Sequence, residues 1–120
     1  MRRICFRMQV DPGRIDEYRA RHAAVWPEML REIEASGRRN YSLFDAGEGL
    51  IIGYFETDDL AASADYLARS PVAARWEAEM QPLFTTIDTR ADQALAPLPE
   101  VFNLADQLAA ADARTEKDLS

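Results

Sequence analysis

The chain has 120 residues, 48% apolar and 29% charged, a composition that fits one globular domain with a modest core. Its formal net charge of −7 argues against a nucleic-acid partner and gives no support for docking on an anionic membrane surface, since both rely on clustered Lys and Arg. The single cysteine, Cys5, excludes an intramolecular disulfide and fits a reducing compartment, so a cytoplasmic protein is expected.

The start, MRRICF, lacks the apolar run of a secretory signal. The longest apolar stretch, GLIIGYF, is far too short to span a bilayer. In RICFRMQV, Ile4, Phe6, Met8 and Val10 alternate with Arg3, Cys5, Arg7 and Gln9, which predicts a half-buried strand. DPG at 11–13 is a turn signal, with Asp11 placed to cap the next helix.

From Arg14 the period changes. Ile15, Tyr18, His22, Met29 and Ile33 recur at helical spacing. Pro27 removes a backbone donor and pushes Trp26 out of helical geometry. Two helical pieces are therefore expected, 13–24 and 27–36, joined by a kink, with Gly37 closing the second. NYSLFDAGEGLIIGYFET reads as a hairpin of Tyr41–Phe44, the turn DAGEG, and Leu50–Glu56. The second of these strands is apolar on both faces, as a central strand is. DDLAASADYLARS begins with a capping Asp, and SPVAARWEAEMQPLF with a capping Ser followed by Pro. Both predict helices. LPEVFNL is a late candidate strand.

The order strand, helix, strand, strand, helix, strand predicts an α+β domain of the ferredoxin-like split βαβ type, with helices on one face of an antiparallel sheet. The other face needs cover from a ligand or a second copy of the chain, so a homodimer, a dimeric α/β barrel, is expected. Residues 1–104 read as this single domain. Residues 105–120 read as a polar, alanine-rich tail, either a loose helix or disordered.

His22 is the only histidine. Imidazole titrates near working pH and moves protons without heavy tuning. A lone helical histidine is nevertheless more often a packing or surface residue. Tyr18 and Trp26 each lie one helical turn from it. Tyr41 opens a strand, Trp76 offers an apolar face that suits the C–H side of a sugar, and Glu77 stands beside it. One histidine, one cysteine and scattered carboxylates do not give zinc-ligand spacing, and no metal is expected. Neither GxGxxG, GxxxxGK[ST] nor GxSxG occurs. Chemistry, if present, falls to side chains alone, without a cofactor.

EYRARHAAVWPEM, with MQVDPG before it and NYSLF after it, resembles the L-rhamnose mutarotases, and the likeness runs from about Ile4 to the EVFNL segment ending at Leu104. Its sharpest parts are Tyr18-x-x-x-His22, the WPE that comes next, and the RW of the late helix. The resemblance implies a small cytoplasmic dimer of ferredoxin-like fold that interconverts the α and β anomers of a 6-deoxy sugar without a cofactor. It implies that His22 is the proton donor, that Tyr18 and Tyr41 bind the sugar, and that Trp76 and position 77 meet it. The family shows a second tryptophan where this chain has Glu77. A family segment resembling DNSP is missing, and the tail past Leu104 is extra. These departures bear on which sugar binds.

The resulting mechanism has protonated His22 give its proton to the ring oxygen, while Tyr18, Tyr41, Glu77 or a water takes the anomeric proton. Three rival readings stand beside it. One is a mutarotase for another pyranose such as L-fucose. A second is a dimeric barrel that binds a small metabolite without turnover. A third, on fold analogy only, is a cofactor-free monooxygenase.

Overall fold

Residues 1–85 and 96–119 are described by the computed structural model, the side chains of 116–119 excepted. The alternating start forms strand β1 (Arg2–Gln9). Ile4, Phe6 and Val10 are buried and Met8 half-buried, on the face that the alternation assigns to the core. Strands β2 (Arg39–Asp45) and β3 (Leu50–Thr57) form the hairpin. The sheet is antiparallel in the order β1-β3-β2, so the strand apolar on both faces is the central one. The hairpin turn needs left-handed backbone at Gly47, Glu48 and Gly49. At Gly49 a side chain is also sterically excluded, because a Cβ there would lie 2.0 Å from the Val10 carbonyl oxygen.

Pro27 divides the first helical region as expected. Helix α1 spans Ile15–His22 and α2 spans Pro27–Ala35. Trp26, at φ −52° and ψ 133°, is extended, the conformation that a following proline favours. Gly37 lies just past the end of α2 with φ +92°, where a residue with a Cβ is disfavoured. Helix α3 (Leu60–Arg69) is capped by Asp59, whose carboxylate accepts from the Ala62 N–H at 3.0 Å. Helix α4 (Pro71–Met80) is capped by Ser70, whose hydroxyl oxygen accepts from the Ala73 N–H at 3.1 Å. All four helices cover one face of the sheet, and the core of Val10, Tyr18, Met29, Ile51, Leu67, Trp76 and Met80 lies between the two layers.

The late strand is corrected. Among the described residues LPEVFNL forms no strand. Leu98 donates one backbone hydrogen bond to the Cys5 carbonyl at 2.7 Å, and the pairing goes no further. Pro97 and Pro99 flank that residue and have no N–H to give, which disfavours a ladder. At the C-terminal end of the same β1 edge, Phe84 bridges Val10 and the Leu83 carbonyl accepts from the Asp11 N–H at 2.7 Å. The β1 edge is thus met near its middle and at its C-terminal end, and residues 86–95 lie outside the described residues. The tail is a helix, α5 (Leu104–Leu119), which Asn103 caps through the Asp106 N–H at 2.9 Å. Arg3 ties it to β1 by a bidentate pair with Glu100, at 2.8 and 2.9 Å, and a contact with Asp106 at 2.6 Å. Among the described residues no helix is long and apolar enough to cross a membrane.

Candidate active site

A cavity of about 370 Å³ opens between the helical layer and the sheet. That volume falls in the range of small-molecule sites, about 300–1,000 Å³. His22, Tyr18, Tyr41, Trp76 and Glu77, the five site residues expected from sequence, all line it. Met29, Leu67 and Met80 complete much of its apolar wall, and Leu30, which is 53% exposed, stands where the cavity meets solvent.

Each position follows from a local rule. Tyr18 and His22 are one turn apart on α1, so their rings lie one above the other on the same helix face. The rings stack with centroids 4.1 Å apart and planes at 28°. His22 is the last residue of α1, and its ring turns back along the helix. Its Nδ1 lies 2.8 Å from the Tyr18 carbonyl oxygen. A carbonyl only accepts, so Nδ1 carries the proton. Nε2 is the remaining nitrogen, and it has no protein hydrogen-bond partner among the described residues. The break at 23–26 brings Trp26 against Trp76, ring centroids 5.1 Å apart and nearly perpendicular. Trp76 in turn meets the His22 ring edge-to-face at 5.3 Å. The imidazole is thus held between a phenol and an indole.

Burial sets the protonation states. It lowers the His22 pKa below the ordinary imidazole value, opposed by the hydrogen bond to the Tyr18 carbonyl. The neutral ring, a base at Nε2, therefore dominates at neutral pH. Tyr18 is 3% exposed. Burial, reinforced by Tyr41 and Glu77, pushes its phenol well above the usual tyrosine range, so the hydroxyl keeps its proton. Trp76 and Glu77 are each 7% exposed. Both reach the cavity because they share one face of α4 with Ala73 and Met80, all four buried at spacings of three, four and seven, while Ala74, Arg75, Ala78 and Glu79 on the other side are exposed. Glu77 is thus a buried carboxylate, not the solvated one that an isolated helical glutamate usually is.

Sequence reading missed Arg38. It is 2% exposed and lines the same cavity. It lay outside the strand expected from sequence, Tyr41–Phe44, and alternation carried back to it would set it on the face opposite Tyr41. The one signal in the sequence was Asn40, a residue that tolerates left-handed backbone and stands between them.

A family model described as L-rhamnose mutarotase matches residues 3–104. An L-rhamnose mutarotase from Sinorhizobium fredii is 37% identical over 107 residues, covering 87% of this chain and 99% of that protein. One from Listeria monocytogenes is 36% identical over 106 residues, covering 88% and 100%. Among solved structures, the crystal structure of an L-rhamnose mutarotase from Formosa agariphila superposes with a TM-score of 0.69 at 23% identity, covering 87% of this chain and 99% of that one. That likeness carries the fold.

Proposed function

This chain belongs to the L-rhamnose mutarotase family, and we infer that it interconverts the α and β anomers of L-rhamnose with His22 carrying the proton. The observation that supports this role is the imidazole itself. It is half-buried, its Nδ1 proton is committed to a carbonyl, and its Nε2 is left in a cavity walled by two phenols and an indole.

Mutarotation opens the pyranose and recloses it on the other face of the aldehyde. Neutral His22 accepts the anomeric hydroxyl proton at Nε2. The C1–O1 bond becomes a carbonyl as the C1–O5 bond breaks, and O5 takes a proton. The imidazolium just formed supplies it, since O1 and O5 are both bonded to C1 in the closed ring and lie within reach of one nitrogen. Tyr18, kept protonated by burial, donates a hydrogen bond to the oxygen that gains charge. Rotation about C1–C2 and reversal of these steps give the other anomer. Trp76 faces the apolar side of the ring, and Tyr41 and Glu77 meet its hydroxyls. The order of proton movements differs from that expected from sequence, where imidazolium acted first, because burial favours the neutral ring.

The pH profile separates the two orders. With the base acting first, exchange corrected for the buffer rate falls as pH drops through the His22 pKa. That inflection lies on the acid side of about 6.5, the ordinary imidazole value, and the profile is flat from there to pH 8. NMR saturation transfer between the anomeric protons of L-rhamnose measures it. A rate that declines steadily from pH 6 to 8 would restore the acid-first order. No acceleration of exchange at any pH would remove the mutarotase reading.

We read residues 1–104 as the catalytic domain, 105–120 as an appended segment, and the protein as a cytoplasmic homodimer. The lone half-buried thiol of Cys5 suits a reducing compartment. The dimer reading rests on the sheet face turned away from α1–α4, where Phe44 is 58% exposed and Ile52 and Tyr54 are half-buried. A second copy covers such a face economically. Sedimentation equilibrium should return twice the chain mass at micromolar concentration, and a monomer there would refute it.

A further inference from the structure

A guanidinium at 2% exposure is costly to bury, so its orientation calls for a reason. Among the described residues, α3 and β3 both help to orient Arg38. Its Nε donates to the Ser63 hydroxyl on α3 at 3.1 Å, and Ser63 donates in turn to the Leu60 carbonyl at 2.8 Å. Its central carbon lies 4.5 Å from the centroid of the Phe55 ring on β3. Phe55 also stacks on Tyr41, centroids 5.1 Å apart. Arg38 and Tyr41 thus share one aromatic support, and both line the cavity that holds His22.

That shared orientation requires an irregular strand. Residues three apart on a regular strand face opposite sides of the sheet. Here Arg39 pairs with Glu56 and Ser42 with Tyr54, so Asn40 and Tyr41 both stand against Phe55. The extra residue is a β-bulge, with Asn40 at φ +49°. It lets Arg38 and Tyr41 face the cavity together, whereas an unbroken ladder with Tyr41 inward would turn Arg38 to the sheet face turned away from α1–α4.

We propose that Arg38 is a substrate-positioning residue whose guanidinium donates to ring hydroxyls of the bound sugar remote from C1, and so presents the anomeric centre to His22. The chemistry is complementary. Arginine offers only donors and the Glu77 carboxyl group offers acceptors, whereas a sugar hydroxyl needs both. The lining of one cavity includes both, which suits a neutral polyol. This inference rests on the mutarotase reading.

The test crosses one substitution with a series of sugars. Wild-type protein and Arg38→Met are assayed by saturation transfer on L-rhamnose and on its 2-, 3- and 4-deoxy analogues. On L-rhamnose, Arg38→Met should raise the half-saturating concentration about ten- to hundredfold, the range for losing a hydrogen bond to a charged group, with kcat changed far less. At least one deoxy analogue should cost the wild type a similar factor, and with that analogue the substitution should cost nothing more. An equal penalty across all four sugars would mean that Arg38 only supports the wall, and would overturn the proposal, as would unchanged half-saturation. If Arg38→Met does not fold, Arg38→Lys, which keeps the charge but loses the planar fork, goes through the same cycle, and the same two outcomes decide. Failure of the wild type to accelerate exchange of L-rhamnose is a separate result, and it removes the underlying reading.

Discussion

His22→Gln is expected to lower protein-dependent anomer exchange about 10²–10⁴-fold, the usual contribution of one positioned acid–base group, while the protein still folds and binds sugar. Glutamine fills much of the same volume against Tyr18 and Trp76. Its amide has no nitrogen lone pair to accept a proton, so the step at Nε2 is lost and the walls remain. Spontaneous mutarotation sets a floor, and the residual rate should approach that of buffer. Saturation transfer gives the rate, and circular dichroism with a sugar titration shows whether fold and binding persist. Exchange at the wild-type rate in a folded variant would take His22 out of the mechanism.

Gly53→Ala is expected to cost stability at the upper end of the overpacking range, about 1–3 kcal/mol. Gly53 is the partner of Phe6 across the β1–β3 ladder. A Cβ at Gly53 would lie 2.2, 2.6 and 2.7 Å from three atoms of the Phe6 ring. The ring has no room to withdraw. It is 0% exposed, with Phe55 at 5.8 Å and Tyr41 edge-on at 6.2 Å. Because Tyr41 is itself part of the cavity wall, the strain reaches the site as well as the core. Combining Gly53→Ala with Phe6→Leu should recover part of the loss, since a smaller side chain frees the space. Urea denaturation of the two single variants and the double gives the coupling. A single Gly53→Ala variant as stable as wild type, or a double whose losses merely add, would show that the ring is not the obstacle.

Features set by neighbouring residues were legible in the sequence. Ile4, Phe6, Met8 and Val10 announced a strand because side-chain alternation is a local rule. Asp59 and Ser70 announced helix starts because a short polar side chain satisfies an N–H three residues on. Pro27 announced the break between α1 and α2. The pairing of Tyr18 with His22 was equally local, being one helical turn.

Features set by tertiary context were not. LPEVFNL has a strand-like apolar pattern, but Leu98 is hemmed in by Pro97 and Pro99, and the chain passes into α5 instead. Arg38 was hidden because the bulge at Asn40 inverts the facing rule, and a bulge is a property of two strands, not one. Glu77 falls on the face of α4 that buries Ala73, Trp76 and Met80, but a carboxyl group ordinarily favours solvent, and only the tertiary setting accounts for its place on that face.

The helix beyond the family-matched part has a different standing from the rest. Leu104 and Leu108 on α5 are 60% and 52% exposed. Arg3, the side chain that ties this end to β1, engages carboxylates that are 42% and 66% exposed, and such pairs contribute at most about 1 kcal/mol. A lone helix of this length is marginal in water. The polypeptide accordingly contains two cooperative units, one anchored by the sheet and one that opens on its own. Its C-terminal amides should exchange with deuterium long before those of β3, and heat should unravel that end while catalysis continues.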